Sequence, residues 1–117
     1  MLDVSLSSLD GTSTITADGE LDIATAPLLR GRLEEAAAPG RRVVADLRRV
    51  SFMDSTGLQA LMHAEDASAR DGWTWTILAS DAVMRVVELA ALEDRLPVRR
   101  EPPAQAGAEA GAADESP

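Results

Sequence analysis

The chain of 117 residues contains no cysteine, no lysine and no tyrosine, and only one histidine and one phenylalanine. Without cysteine there is no disulfide and no thiolate–metal chemistry, which suits a reducing compartment. A metal site would have to be built from carboxylates and one imidazole, and no acids are spaced as a binding loop. No apolar run approaches the ~20 residues needed to cross a bilayer. The start, Met1-Leu2-Asp3-Val4-Ser5, lacks the basic and apolar regions of a signal peptide. A soluble, cytoplasmic protein without cofactor, metal or membrane contact is expected. All 11 basic residues are arginine, and the formal net charge of -9 argues against direct nucleic-acid binding.

Catalytic signatures are also missing. His63 stands eight residues after Ser55 on one predicted helix, a rise of about 12 Å, far beyond the reach of a nucleophile and its base. There is no G-x-S-x-G elbow, P-loop or dinucleotide fingerprint. The sequence does not read as an enzyme.

What is present is ordered. Residues 3–9 and 13–18 alternate apolar and polar around Asp10-Gly11, predicting a hairpin. Asp18-Gly19 is expected to break the second strand. Thr25 predicts an N-cap and Pro27 a first helical turn, with Leu29, Leu33, Ala36 and Ala37 inward and Pro39-Gly40 as the stop. Arg42-Val43-Val44-Ala45-Asp46-Leu47 is nearly continuous apolar sequence, as in a strand buried on both faces. Asp46 reads as a strand-end residue bonding nearby backbone. A helix to about Asp71 is predicted, with Leu58, Leu61, Met62 and Ala69 inward and Gln59, His63, Asp66 and Arg70 outward. Residues Trp73–Leu78 predict a strand. Ser80 or Asp81 caps a last helix with Val83, Met84, Val87 and Ala91 inside. Leu96-Pro97-Val98 suggests a short edge strand. The fold class is α/β: an N-terminal hairpin joined to a mixed, mostly parallel sheet with three or four packed helices. Residues 1–100 are expected to form the domain. Residues 101–117, rich in Ala, Gly and Pro with four acids and no base, are expected to be disordered.

The chemistry concentrates between the central strand and the next helix: Val50-Ser51-Phe52-Met53-Asp54-Ser55-Thr56-Gly57-Leu58. Asp, Ser and Thr are N-cap residues, and Thr56-Gly57-Leu58-Gln59 has capping-box spacing, with Gln59 able to reach back. Asp54, Ser55 and Thr56 are therefore placed on an exposed loop at a helix mouth. A hydroxyl there is first of all a cap, but it also lies near the positive end of the helix dipole, where phosphate is tolerated. Asp22 follows the second strand as Ser55 follows the third, so both are expected at the sheet's carboxyl edge, where sites are built.

These residues, with Gly19-Glu20-Leu21-Asp22 upstream, resemble the STAS domain (sulfate transporter and anti-sigma factor antagonist) over roughly residues 4 to 98. The likeness is to the single-domain bacterial anti-sigma factor antagonists. Gln59 stands where sporulation and stress-response members carry a second glycine. The resemblance implies that Ser55, with Thr56 as secondary candidate, is phosphorylated by a GHKL-type serine kinase that is also the anti-sigma factor. It implies that the unphosphorylated form binds this kinase and frees a sigma factor for transcription, and that a PP2C-type phosphatase resets the cycle. Asp22, Asp54, Ser55, Thr56, Gly57, Gln59 and His63 would form the partner face of a protein that is monomeric in isolation. For Asp22 a turn residue, for Gly57 first-turn backbone geometry, and for the Gln59–His63 face plain solvation stand beside those roles. A scaffold or sensory STAS module that binds a protein or small ligand without phosphorylation is the alternative.

Overall fold

A computed structural model describes residues 1–102. The disorder expected over 101–117 therefore falls, from residue 103 on, outside the described residues. The elements run β1 (Leu2–Leu9), β2 (Thr12–Leu21), α1 (Ala26–Ala36), β3 (Arg42–Met53), α2 (Ser55–Asp71), β4 (Thr74–Ala79), α3 (Asp81–Leu89) and β5 (Val98–Arg99). They form one five-stranded sheet in the order β1-β2-β3-β4-β5. The hairpin is antiparallel and every other pair is parallel. This is the α/β architecture expected, with three helices among the described residues.

Each parallel step moves the same way along the sheet, and right-handed crossovers then set all three helices on one face. Ile15, Ala17, Val43, Ala45, Leu47, Trp75, Ile77 and Ala79 alternate toward that face and are buried. From the helices, Leu29, Leu33, Ala36, Leu58, Leu61, Ala64, Val83 and Val87 meet them. The opposite face carries Thr14, Thr16, Val44, Asp46 and Thr76, all half-buried. Residues 42–47 are thus covered on one side only, which corrects the two-sided burial read from their apolar run. A run of three small apolar residues does not reveal how many layers cover it.

Other expectations change for reasons of register. β3 does not stop at Leu47 but continues through Arg48, Arg49 and Ser51 to Met53. Its pairing with β2 slips between Thr16 and Asp18 and again between Gly19 and Glu20. These bulges let Arg48 and Arg49 both face outward while Val50 turns back into the core. Asp46 lies mid-strand rather than at a strand end, but it makes the expected backbone bond: its Oδ1 accepts from the Arg48 N–H at 3.2 Å, and the carboxylate also accepts from Arg48 Nε and Nη2 at 2.9 and 2.8 Å. Gly19 does not break β2; it stays paired inside the strand, beside the second bulge of β3, at φ +130°. Only glycine fits there, since a Cβ would lie 2.2 Å from the Met1 carbonyl oxygen. On α2 the inward row is Gly57, Leu58, Ala60, Leu61, Ala64 and Ser68, whereas Met62 and Ala69 face out. Ala91 is past the end of α3 and exposed, and Trp73 precedes β4 rather than opening it.

Gly19→Ala should destabilise the fold by about 2 kcal/mol through forced backbone strain and displacement of the first residues. A urea midpoint equal to that of the wild type would contradict this account.

Candidate functional site

β2 and β3 end side by side. Leu21 pairs with Met53, and the Asp54 N–H donates to the Leu21 carbonyl at 3.2 Å. The residues one step beyond, Asp22 and Asp54, therefore emerge next to each other at the carboxyl edge of the sheet.

Asp54 has extended backbone and is the N-cap of α2. Its Oδ1 accepts from the Thr56 and Gly57 N–H groups at 2.9 and 3.2 Å. The capping-box reading is therefore corrected: the cap lies two residues earlier than Thr56, and Thr56 and Gln59 are both inside the helix. Ser55 is its first residue and is exposed; Thr56 is half-buried. Ser55 thus sits on the helix itself, not on a loop before it. The neighbouring cap is already filled by a carboxylate, so the Ser55 hydroxyl is not needed to satisfy these two N–H groups.

Gly57 turns inward. A Cβ there would meet Met53 Cγ at 2.6 Å and Leu21 Cγ at 2.9 Å. It lets the helix start press onto the ends of β2 and β3, and it is buried rather than presented to a partner. Its place in the expected partner face is withdrawn for that reason.

Asp22 is engaged locally. Its Oδ1 accepts from the Ala24 and Thr25 N–H groups at 3.0 and 3.1 Å. Its own N–H donates to Thr25 Oγ1 at 2.9 Å, and that hydroxyl donates to the Glu20 carbonyl at 2.7 Å. Thr25 precedes α1 as expected, but its hydroxyl works backward into this turn and makes no cap bond to the helix. Desolvation opposes ionisation of Asp22, but the hydrogen bonds from Thr25 and Ala24 outweigh it and hold the carboxyl below its ordinary range.

The exposed surface around Ser55 follows from helical spacing. Gln59, Met62, His63 and Asp66 are exposed at i+4, i+7, i+8 and i+11 from Ser55. Ile23, 75% exposed, projects from the turn beside Asp22. Met62 and Ile23 are apolar members of this surface that the sequence reading passed over. Counting from Gly57 and Leu61 as the inward row places Met62 outward, so the signal was there for Met62. For Ile23 there was none. A groove of about 320 Å³ lies elsewhere, between α1 and α2 over Leu33, Ala60, Ala64 and Trp73, and shares only His63 with this face.

The family described as Mlab, STAS domain matches residues 4–99. The anti-sigma-B factor antagonist of Staphylococcus aureus (strain NCTC 8325 / PS 47) is 30% identical over 99 residues, 83% of this chain and 92% of that protein. Among solved structures, an anti-sigma factor antagonist from Mycobacterium paratuberculosis is similar with a TM-score of 0.70 and 23% identity, covering 94% of this chain and 93% of that one. The anti-sigma factor antagonist SpoIIAA in its unphosphorylated form matches at a TM-score of 0.66 and 21% identity, covering 92% and 96%. The Bacillus SpoIIAA in the phosphorylated form matches at 0.64 and 21%, covering 92% and 99%.

The lowered pKa of Asp22 has a consequence for stability. Its contribution is fully present above the ordinary carboxylate pKa of about 3.9 and is lost as pH falls through its lower folded value. Asp22→Asn should therefore flatten the loss of stability below about pH 4, as read by denaturant midpoints at successive pH values; an unchanged acid limb would remove Asp22 from that account.

Proposed function

Since this chain belongs to the STAS-domain family, the family of the anti-sigma factor antagonists, we propose that it is itself an anti-sigma factor antagonist whose docking is gated at Ser55. The observation that carries this reading is an exposed hydroxyl on the first turn of a helix, directly beside a cap already occupied by Asp54. In this reading the unphosphorylated face, with Ser55, Gln59, Met62, His63 and Ile23, binds a GHKL-type serine kinase that otherwise holds a sigma factor. The kinase transfers the γ-phosphoryl of ATP to Ser55 Oγ, the hydroxyl proton leaves, and ADP is released. A PP2C-type phosphatase restores the hydroxyl. Asp22 and Asp54 act by fixing the two turns that frame the face, and Thr56 is the secondary acceptor.

Magnitudes favour release of the partner over disruption of the domain. Phosphate adds roughly −1.5 to −2 charge. A helix N-terminus returns about 0.3–1 kcal/mol to an anion, and here the Asp54 carboxylate already occupies the nearest donors. The phosphate is therefore turned outward, away from that like charge. A partner carboxylate about 7 Å away, at an effective dielectric near 20, would be repelled by about 3.5 kcal/mol before salt screening. That is several hundredfold in affinity. Charge at the interface outweighs anything the phosphate does within the helix.

Ser55→Ala should stay bound to the kinase in the presence of ATP while the wild type is released, as read by pull-down with mass mapping of the modified residue. Equal retention would leave a STAS module that docks without a switch. Ser55→Asp, carrying less charge than phosphate, should weaken binding by about fiftyfold before salt screening, as read by calorimetry; unchanged affinity would remove charge as the cause.

A further inference from the structure

The two borders of the sheet differ. β5 is two residues long and follows Pro97. β1 runs eight residues with no proline, no base and no bulge, in unbroken register with β2 from Leu2↔Gly19 to Leu9↔Thr12. No strand pairs with its outer side among the described residues. Free edges are ordinarily blunted by short strands, proline, charge or bulges. β5 is blunted in this way, while the only charge along β1 is Asp3.

The outward groups of β1 can be assigned. Asp10 and Gly11, at φ 53° and 82°, make a two-residue turn of the type that matches strand twist. Leu9 and Thr12 then close as a hydrogen-bonded pair, and such pairs alternate along the ladder. The bond from Glu20 N–H to the Met1 carbonyl, 2.8 Å, falls on the same alternation. Asp3, Ser5, Ser7 and Leu9 thus turn their backbone groups toward β2. Leu2, Val4, Leu6 and Ser8 turn theirs to the open edge.

We propose that β1 pairs antiparallel with β1 of a second copy of this chain, with Ser5 on the two-fold axis. In that register Val4 of one copy faces Leu6 of the other, and Leu2 faces Ser8. All four outward residues of each copy are used, for about eight hydrogen bonds by the antiparallel rule. The half-buried Val4 and Leu6 side chains, which pack at the border of the core, cover one another. Met1 and Leu9, 80% and 75% exposed at opposite ends of the strand, are brought together. Asp3 meets Ser7 rather than its own copy. Moving the axis to Leu6 would leave Leu2 unpaired and set Asp3 against Leu9, and a one-residue slip would put core-facing residues opposite solvent-facing ones. The sheet becomes ten-stranded with both helix layers on one side. The Leu2 ends of the two copies point in opposite directions, so both Ser55 hydroxyls stay open and the pairing does not depend on their role.

Light scattering of the full chain over about 1 μM to 1 mM should show a mass rising from 12.3 kDa toward twice that value. Opposed residues on such an axis have Cα atoms about 4.5 Å apart, within disulfide reach. In this cysteine-free chain Ser5→Cys should therefore cross-link two copies on mild oxidation, while Ser7→Cys does so far more slowly. Ser5→Asp and Ser5→Lys should each weaken the dimer about tenfold, and mixing the two variants should restore it, which misfolded protein could not do. A constant monomer mass, equal cross-linking at positions 5 and 7, or a dimer indifferent to charge at Ser5 would each overturn the proposal.

Discussion

The structure turns on one joint: the Asp54 N–H bonded to the Leu21 carbonyl, with the Asp54 carboxylate folded over the first N–H groups of α2. A single residue thereby ends β3, ties that end to β2, and starts the helix that crosses back over the sheet. Helices need their first N–H groups satisfied, and a side-chain oxygen at the cap does so at a value of about 1 kcal/mol. Here the same carboxylate also releases its neighbour. Ser55 is left on the outside of the first turn with no structural duty in the cap, which is what makes a reactive or readable hydroxyl compatible with a stable helix.

Around that joint the packing is tight on one side and open on the other. Gly57 sits against Leu21 and Met53, where any side chain would collide, and the inward row of α2 continues through Leu61 and Ala64 into the core. Outward, the same helix shows Gln59, Met62, His63 and Asp66 to solvent. Asp22, a turn away, is occupied by Thr25 and Ala24. The acids of this edge thus act first as scaffolding. The hydroxyl and the apolar and polar groups beside it are what this edge leaves exposed.

Much of this was legible in the chain itself. The order of elements followed from periodicity, Asp10-Gly11 gave the hairpin, and the run from Asp54 to Leu58 announced both helix and hydroxyl. Three things were not legible, each for a physical reason. The extension of β3 past Leu47 depends on two bulges against β2, and register slips are properties of a pair of strands, not of either sequence. The bare face of the sheet depends on the handedness of three crossovers. The choice of cap was a competition among Asp54, Ser55 and Thr56, all good cap formers, settled where the Asp54 N–H ties the end of β3 to Leu21 of β2. Met62 shows a different failure: its apolar character suggested the core, although its angular position on α2 placed it outside.

The close approach of Gly57 to Leu21 and Met53 has a kinetic side. A first turn wedged against two strand ends opens only together with those strands, so it frays less readily than a free helix end.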